Sequence, residues 1–276
     1  MRFSAAGRVL ARALADALFP PRCAACDVFL PPPIRRPRRP AEDETDIRRV
    51  FDGLLGEMLC AACRAAFQAV TSPLCPCCGI MFPSRRGDDH LCGRCAVSGH
   101  WFATARAVGI HEGPLRDMVH HLKYGGRVGL ARPLGWLMDT FFRQVWPPGE
   151  VELVMPVPLH GRRLRRRGFN QAWLLVRHWT GFAEAPGGGH SGPLFVHNAL
   201  VRRRPTRPQT GLGREERLSN LKGAFALAPG RSVDGRTVLL VDDVMTTGTT
   251  ADACAQVLRA AGARRVDVLT LTRAMG

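Results

Sequence analysis

The sequence predicts an α/β protein in which a parallel sheet flanked by helices follows a small cysteine-rich domain. The four Cys-x-x-Cys pairs all precede residue 96, and from residue 101 onward apolar strands alternate with helical stretches. The order strand, helix, strand within residues 237–271 indicates a right-handed parallel crossover. We therefore predict two domains, residues 1–100 and 101–276, which agrees with a prior of roughly 150 residues per domain.

The composition is that of a folded protein without a membrane span. Hydrophobic residues make up 46% and charged residues 22% of the chain, which excludes an intrinsically disordered protein. No apolar run approaches the roughly 18 residues of a transmembrane helix. Arg8 and Arg12 interrupt the first apolar stretch, so no secretory signal is evident. Leu10, Leu14 and Leu18 predict one stripe of a packed helix, and an amphipathic presequence is the alternative. A reducing cytoplasm is the expected location, because the cysteine spacing suits a metal better than disulfides.

The first candidate site binds metal. A Cys-x-x-Cys knuckle presents two thiolates to one tetrahedral ion, so two knuckles complete a structural zinc site. Four knuckles can pair in three ways, and we favour sequential pairing. The 33 residues between the first two knuckles exceed the roughly 15 to 20 of a compact ribbon. A Pro/Arg-rich insertion at residues 30–41 explains this excess.

The predicted ions are two structural Zn2+, because four thiolates leave no open position for catalysis. Cys77 is a competing ligand, but the outer pair followed by Gly79 fits a knuckle better, and Cys254 falls within a predicted helix and is assigned to the core. The predicted ligands are Cys23, Cys26, Cys60, Cys63, Cys75, Cys78, Cys92 and Cys95.

The second half of the chain has alternating strand and helix patterns. A Gly-rich loop interrupts them at residues 184–193. Apolar runs predict strands at residues 103–109, 153–157, 194–201, 224–227, 237–241 and 265–271. Helical periodicity predicts helices at residues 114–124, 130–146, 169–182 and 249–261.

The second candidate site is the segment VLLVDDVMTTGTT at residues 238–250. An apolar strand ends in two acids, and a Thr/Gly loop then opens a helix. Backbone N–H groups, threonine hydroxyls and the helix dipole would converge there on a phosphate. The acids would accept hydrogen bonds from sugar hydroxyls or help to hold Mg2+. The residue order differs from both the P-loop and the dinucleotide fingerprint, which argues against those sites. The residues concerned are Asp242, Asp243, Thr246, Thr247, Gly248, Thr249 and Thr250.

Further motifs narrow the assignment. The thirteen residues of the second site resemble the signature of type I phosphoribosyltransferases. The other motifs are LFPPRCxxC at 18–26, HLKYGG at 121–126, PVPLHxRRxxxRGFNQ at 156–171, RxxxTxxQ at 202–209 and RxxNLxxAF at 217–225. Together they resemble the ComF family of competence-associated proteins over nearly the whole chain. Members of that family pair an N-terminal double zinc ribbon with a phosphoribosyltransferase domain.

The resemblance implies a type I phosphoribosyltransferase-like fold and a role for each motif. Asp242 and Asp243 would hold the ribose 2- and 3-hydroxyls, and residues 246–250 the 5-phosphate. Residues 202–220 match a mobile loop whose first residue, Arg202, would complete the catalytic site. The ligands would be phosphoribosyl pyrophosphate and Mg2+. The turn that matches the pyrophosphate site contains Pro158, Leu159, His160, Arg162 and Arg163.

We expect a Mg2+-dependent phosphoribosyltransferase that works by positioning and by electrostatic stabilisation of the leaving group, linked to DNA uptake and with an acceptor that the sequence does not name. Lys123 lies in the hood segment that the resemblance implies. The alternative is a non-catalytic accessory protein of the uptake machinery that binds single-stranded DNA or docks on a helicase, with the sugar phosphate as an effector.

Charge supports an anionic ligand in either case. Residues 155–222 carry 13 basic side chains against three acidic ones, a net charge of +10. Arg165, Arg166 and Arg167 would follow the phosphates of a DNA strand while Phe169 stacks on its bases, or else they form a solvated face.

Overall fold

The structure of the chain is a computed structural model that describes residue 18 and residues 20–31, 44–179, 192–204 and 221–275. The predicted N-terminal stripe lies outside these residues except for Leu18, which is 67% exposed instead of packed. The Pro/Arg-rich insertion, the Gly-rich loop and the predicted mobile loop lie mostly outside them.

The described strands form two sheets. They are β1 (Thr104–Ile110), β2 (Leu153–Pro156), β3 (Leu194–Phe195), β4 (Leu200–Arg202), β5 (Phe225–Leu227), β6 (Thr237–Met245) and β7 (Arg265–Arg273). The larger sheet has the order β1-β7-β6-β2-β3 and is parallel throughout. β4 and β5 pair antiparallel as a separate ribbon. The predicted α/β architecture with a parallel sheet is therefore confirmed.

Helices connect these strands and cover both faces of the larger sheet. The described helices are α1 (Ile47–Leu55), α2 (Ala61–Ala65), α3 (Gly93–Ser98), α4 (Gly113–Tyr124), α5 (Ala131–Val145), α6 (Gly161–Arg167), α7 (Gln171–Val176) and α8 (Thr249–Ala260). Short 3-10 turns occupy Gly56–Met58 and Val128–Leu130. The Asp46 carboxylate caps α1 by accepting from the N–H groups of Arg48 and Arg49.

Several predicted elements differ in the structure. The helix predicted at residues 169–182 is observed at Gln171–Val176. The strand predicted at residues 194–201 is divided into β3 and β4, because the chain turns at His197 and Asn198, and asparagine favours turns. The segment predicted as a turn up to Arg163 is already helical from Gly161, where α6 begins.

Two apolar cores lie on opposite faces of the larger sheet. Successive side chains of a strand point to opposite faces, so Leu239 and Val241 join one core while Val238 and Leu240 join the other. Helices α1, α4, α5 and α7 pack in the first core, and α8 packs with the β4–β5 ribbon in the second. Both cores include residues from before and after residue 100, so the domain boundary stays a prediction.

The cysteine-rich segment covers the β1 edge of the sheet. The N–H group of Val70 donates to the Val108 carbonyl of β1 at 3.1 Å. In the opposite direction, the N–H group of Ala105 in β1 donates to the Cys77 carbonyl at 2.7 Å. Gly79 has a φ of +67°, and a Cβ there would lie 2.4 Å from Ala105 O, so glycine alone allows this close approach. These contacts satisfy backbone groups that an open edge strand would expose.

The connections reverse direction between β2 and β6. These strands are neighbours, but the chain leaves β2 towards β3 on one side and leaves β6 towards β7 on the other. In parallel α/β sheets, ligands bind at the carboxyl ends of strands beside such a reversal. The topology therefore places a crevice where residues 158–163 and 246–250 follow their strands. Among the described residues, no helix is both long and apolar enough to cross a membrane.

Candidate functional site

The two adjacent acids lie inside a strand and not after it. β6 continues to Met245, where sequence reasoning ended the strand at Val241, and Asp242 pairs in register with Thr270 of β7. Neighbouring residues of a strand point to opposite faces, so the carboxylates of Asp242 and Asp243 diverge. The acids therefore have different surroundings.

Asp243 faces helix α4. Its Oδ2 atom lies 2.6 Å from Nζ of Lys123, near the end of that helix, and the side chain of Asp243 is only 4% exposed. The Thr272 hydroxyl donates to the Asp243 carbonyl at 3.3 Å. Lys123 is thus an ion-pair partner of a predicted site residue.

Asp242 faces the threonine loop. A small cavity of about 50 Å³ is lined by Asp242, Met245 and Thr270 together with the loop residues Thr246, Gly248, Thr249 and Thr250. Burial raises the pKa of Asp242 well above its usual range, the Asp243 carboxylate raises it further, and Lys123 opposes both effects. A carboxyl in this state gains from a cation or from hydroxyl donors placed beside it.

The threonine loop leaves the N-terminus of α8 open to a ligand. Gly248 occupies the N-cap position with a φ of +80° and provides no side-chain cap. This positive φ favours glycine. A Cβ on Gly248 would also lie 2.7 Å from Met245 Cε, the flexible end of a side chain that would have to move. The hydroxyls of Thr247 and Thr249 lie 2.7 Å apart. N–H groups and threonine hydroxyls thus meet at the start of α8, the arrangement that the sequence predicts for an anion cradle. Anion binding by this loop stays a prediction.

The loop after β2 is rich in positive charge. The His160 Nδ1 atom accepts from the Arg162 N–H at 3.2 Å, which caps α6. Burial and the surrounding arginines, Arg162 first, lower the pKa of His160 and favour the neutral ring that this cap requires. Arg162 is exposed and Arg163 half-buried, so the second is the better fixed of the two.

A larger cavity joins this turn to Arg202. Its volume is about 510 Å³. The Arg202 guanidinium stacks over the Phe225 ring at 5.2 Å. Burial and Arg163 lower the pKa of Arg202, while Asp242 raises it. The structure thus brings both Arg163 and Asp242 within electrostatic reach of Arg202. The lining residues are Pro158, Leu159, Leu164, Gly168, Phe169, Asn170, Trp173, His197, Asn198, Leu200, Val201 and Arg202.

Sequence reasoning missed His111 and Tyr124. His111 follows β1, and its Nδ1 atom lies 2.9 Å from the Thr272 hydroxyl. Burial and the nearby Lys123 lower its pKa. Tyr124 is 61% exposed, and the Arg167 guanidinium lies 5.0 Å above its ring. The position of His111 just after a strand was a signal for the first, but no sequence spacing connects Tyr124 with Arg167.

The eight paired cysteines form two tetrads with sequential pairing. Within each tetrad all four sulfur atoms lie within 4.8 Å of one another, and Cys77 belongs to neither. The Cys26–Cys60 and Cys78–Cys92 Sγ distances are both 3.7 Å. Four sulfurs about 2.3 Å from a tetrahedral zinc would lie about 3.8 Å apart, so both tetrads fit this ion. The first tetrad is Cys23, Cys26, Cys60 and Cys63; the second is Cys75, Cys78, Cys92 and Cys95.

The two tetrads share one local design. The N–H of the third cysteine donates to the sulfur of the first in both, Cys60 to Cys23 and Cys92 to Cys75, at 3.4 Å. Burial alone would raise the pKa of these first thiols, but backbone N–H donors lower the pKa of Cys23 to about 7 and that of Cys75 to about 6. Both first cysteines are thus prepared to bind metal as thiolates.

Arg273 adds a further argument for an ion at the second tetrad. Its side chain is 1% exposed, and its Nε and Nη1 atoms have no hydrogen-bond partner in the described part of the chain. Burial lowers the pKa of Arg273, whereas the nearby thiols, Cys78 first, raise it. Four thiolates around one Zn2+ carry a net charge of −2, which compensates a buried guanidinium.

Comparison with known proteins agrees with this geometry. The phosphoribosyl transferase domain family matches residues 198–275, which include β6, the threonine loop and α8. Competence protein F of Haemophilus influenzae is 30% identical over 78% of this chain and 90% of its own length. DNA utilization protein YhgH of Escherichia coli is 33% identical over 79% of this chain and 91% of its own. The chain belongs to the ComF family.

A ComF family member thus carries the two tetrads beside a parallel sheet of the phosphoribosyltransferase type. Among solved structures, the orotate phosphoribosyltransferase of Mycobacterium tuberculosis is 19% identical and covers 60% of this chain and 69% of its own, with a TM-score of 0.30. The family assignment rests on the curated relatives and not on that match.

Proposed function

We propose that this ComF family protein binds phosphoribosyl pyrophosphate with Mg2+ in the crevice at the carboxyl ends of β2 and β6, and transfers the phosphoribosyl group to a nitrogen acceptor. The observation that carries the proposal is the uncapped, glycine-led start of α8 next to Asp242 at the reversal of the sheet. An ion site built only from cysteines, or a DNA-binding surface alone, has no need of this arrangement.

Different residues of the crevice would bind different parts of the substrate. The N–H groups and hydroxyls of residues 246–250 would bind the 5-phosphate, and Asp242 would accept hydrogen bonds from ribose hydroxyls. Arg163 and Arg202 would bind the pyrophosphate, since guanidinium groups suit its oxygens. Lys123 forms an ion pair with Asp243 at the same sheet edge. Mg2+, when bound, supplies further neutralisation of the pyrophosphate charge, and Asp242 is the side chain best placed to hold its hydration shell.

The reaction breaks the bond between C1 and the pyrophosphate oxygen, whose electron pair leaves with pyrophosphate. A bond from the acceptor nitrogen to C1 forms, and the nitrogen's proton is released to solvent. This chain's contribution is positioning and electrostatic stabilisation of the leaving group. We further propose that both tetrads hold structural Zn2+, and that the setting is DNA utilization, as the names of the relatives suggest.

The test is binding first and turnover second. Calorimetry with phosphoribosyl pyrophosphate and Mg2+ is expected to show saturable binding, and pyrophosphate release is expected to rise when pooled nucleobases are added. Asp234→Asn serves as a matched control, because this exposed acid lies at the opposite, amino end of β6. Absence of binding by the unmodified protein would overturn the proposal. Binding of the sugar phosphate without release of pyrophosphate in any acceptor pool would overturn the transferase activity and leave a protein that only senses this ligand.

A second candidate function, binding of single-stranded DNA, is favoured by one surface. Arg165 and Arg166 of α6 are exposed, and Arg167 stacks on the exposed Tyr124 ring. Exposed arginines beside an aromatic face suit phosphates and stacked bases. Phe169, which the sequence suggested for stacking, is half-buried and lines the larger cavity instead.

A further inference from the structure

Arg94 connects the second cysteine tetrad to the threonine loop. It lies on α3 between the ligand positions Cys92 and Cys95, and its Nη1 atom donates to the Thr247 carbonyl at 2.6 Å. The two residues are 153 positions apart in the chain. A cysteine knuckle therefore makes a direct hydrogen bond to the loop at the candidate phosphate site.

The direction of this bond is informative. In a trans peptide the C=O of one residue and the N–H of the next point in opposite directions. With the Thr247 carbonyl held by Arg94, the Gly248 N–H is aimed away from Arg94. The guanidinium charge also polarises the peptide, which makes that N–H a better donor to an anion.

Three more contacts join the same segment to the start of α8. The Trp101 N–H donates to Oδ1 of Asp252, in the first turn of the helix, at 2.6 Å. The His100 Nδ1 atom lies 3.3 Å from that same oxygen. The Phe102 ring packs at the α-carbon of Gly248, where an added Cβ would be 3.7 Å away. The cysteine knuckle and the residues after it thus contact the loop and the helix at separate points.

We propose that Arg94 is a positioning residue of the phosphate site, and that the second tetrad supports ligand binding by holding Arg94 against the Thr247 peptide. This inference rests on the proposed function, because it assigns the loop a phosphate to bind. It gives one of the two predicted zinc centres a task beyond stabilising its own knuckles.

The experiment compares Arg94→Ala and Arg94→Lys with the unmodified protein. Arg86→Ala is the matched control, because Arg86 is an exposed arginine of the same cysteine-rich segment. Each protein is titrated with phosphoribosyl pyrophosphate and Mg2+ by calorimetry, and hydrogen exchange of residues 246–252 is followed by mass spectrometry. Zinc is measured in each sample.

We expect Arg94→Ala to keep both metal ions, to bind the ligand at least tenfold more weakly, and to exchange the loop amides faster. Arg94→Lys, which keeps the charge but not the planar donor, should recover part of the affinity. Arg86→Ala should match the unmodified protein. Unchanged affinity and unchanged exchange in Arg94→Ala would overturn the inference while leaving the proposed function intact, whereas failure of the unmodified protein to bind would refute the function itself.

If Arg94→Ala loses zinc, a second variant that lies outside the cysteine-rich segment keeps the inference testable. Asp252→Ala removes the acceptor for Trp101 and His100 without touching the second tetrad. It should speed exchange of the loop amides and weaken ligand binding. If both stay unchanged with zinc retained, contacts from this segment do not position the loop, and the inference is wrong.

Discussion

The ammonium of Lys123 lies 2.6 Å from the carboxylate of Asp243, although the two residues come from a helix and a strand 120 positions apart in the chain. The Lys123 side chain is 18% exposed and that of Asp243 4% exposed, so water screens the pair only weakly. Asp243 is therefore neutralised by a direct ion pair, whereas the part of the chain that the structure describes gives Asp242 no such direct partner.

Breaking this pair should destabilise the fold. Asp243→Asn leaves a mostly buried ammonium without its counter-charge, and we expect the free energy of unfolding to fall by roughly 3 kcal/mol. The double variant Lys123→Met with Asp243→Asn should recover much of this loss, because the ammonium that lost its counter-charge is removed as well. Urea denaturation of the single and double variants measures the coupling. Strictly additive effects would show that the pair contributes no interaction energy.

Asp242→Asn should act mainly on the ligand. The change removes a charge beside the threonine loop, and we expect at least a tenfold loss of affinity for phosphoribosyl pyrophosphate with Mg2+, or about 1.4 kcal/mol. Calorimetry against the Asp234→Asn control gives the comparison. Zinc content should be the same in all samples, and equal affinity in Asp242→Asn would remove this acid from the site.

The same variant should stabilise the ligand-free protein in a pH-dependent manner. Burial raises the pKa of Asp242 in the folded chain but not in the unfolded chain. Ionisation at neutral pH therefore disfavours folding, and this penalty disappears once the acid is protonated in both states, below about pH 4. Asp242→Asn should be the more stable protein at pH 7, and its advantage should shrink as the pH falls towards 4. A gain that does not change with pH would contradict this explanation.

Metal analysis should give two zinc ions per chain. Chelation should unfold the cysteine-rich segment, because the free energy of metal binding in such sites is also folding free energy. Circular dichroism during titration with a chelator, with zinc release followed by a colorimetric dye, tests both points. A content below about one zinc per chain would contradict the assignment of two centres.

Different arginines of α6 should bind different ligands. Arg165→Ala with Arg166→Ala should weaken binding of single-stranded DNA and reduce the slope of log K against log salt by about 0.7 for each phosphate that the protein no longer neutralises. Arg163→Ala should instead weaken binding of the sugar phosphate, since this residue is half-buried beside Arg202.

Tyr124→Ala tests stacking on the same surface. Without the ring to stack on a base, DNA affinity should fall by about 1–3 kcal/mol, and Tyr124→Phe, which keeps the ring, should bind normally. If neither the arginine nor the tyrosine variants change DNA binding, this surface is only a solvated face.

Much of the molecule was predictable from local patterns. Cysteine spacing predicted the tetrads and their pairing, since a knuckle is a short-range structure. The Thr/Gly loop after an apolar strand predicted the start of helix α8, whereas binding of an anion there stays a prediction. The predicted end of β6 at Val241 was wrong, because the strand continues to Met245. Two adjacent acids are typical of a strand end, and the sequence does not show that Lys123 neutralises one of them. The sequence could not predict the contact of Arg94 with Thr247 or that of His111 with Thr272, because each pair is more than 150 positions apart in the chain.

β1 pairs with β7, and Thr104 of the one lies beside Asp267 of the other. These paired residues are about 160 positions apart in the chain. During synthesis, β1 therefore leaves the ribosome long before β7, and the central sheet cannot form completely until β7 has been synthesised. Pairing between such distant segments is slow, since closing a long loop costs entropy before the strands can hydrogen-bond. The cysteine knuckles require only short loops and can form around metal much earlier during synthesis. Zinc availability while the chain is being made would then decide whether the edge of β1 is covered before its partner strand arrives.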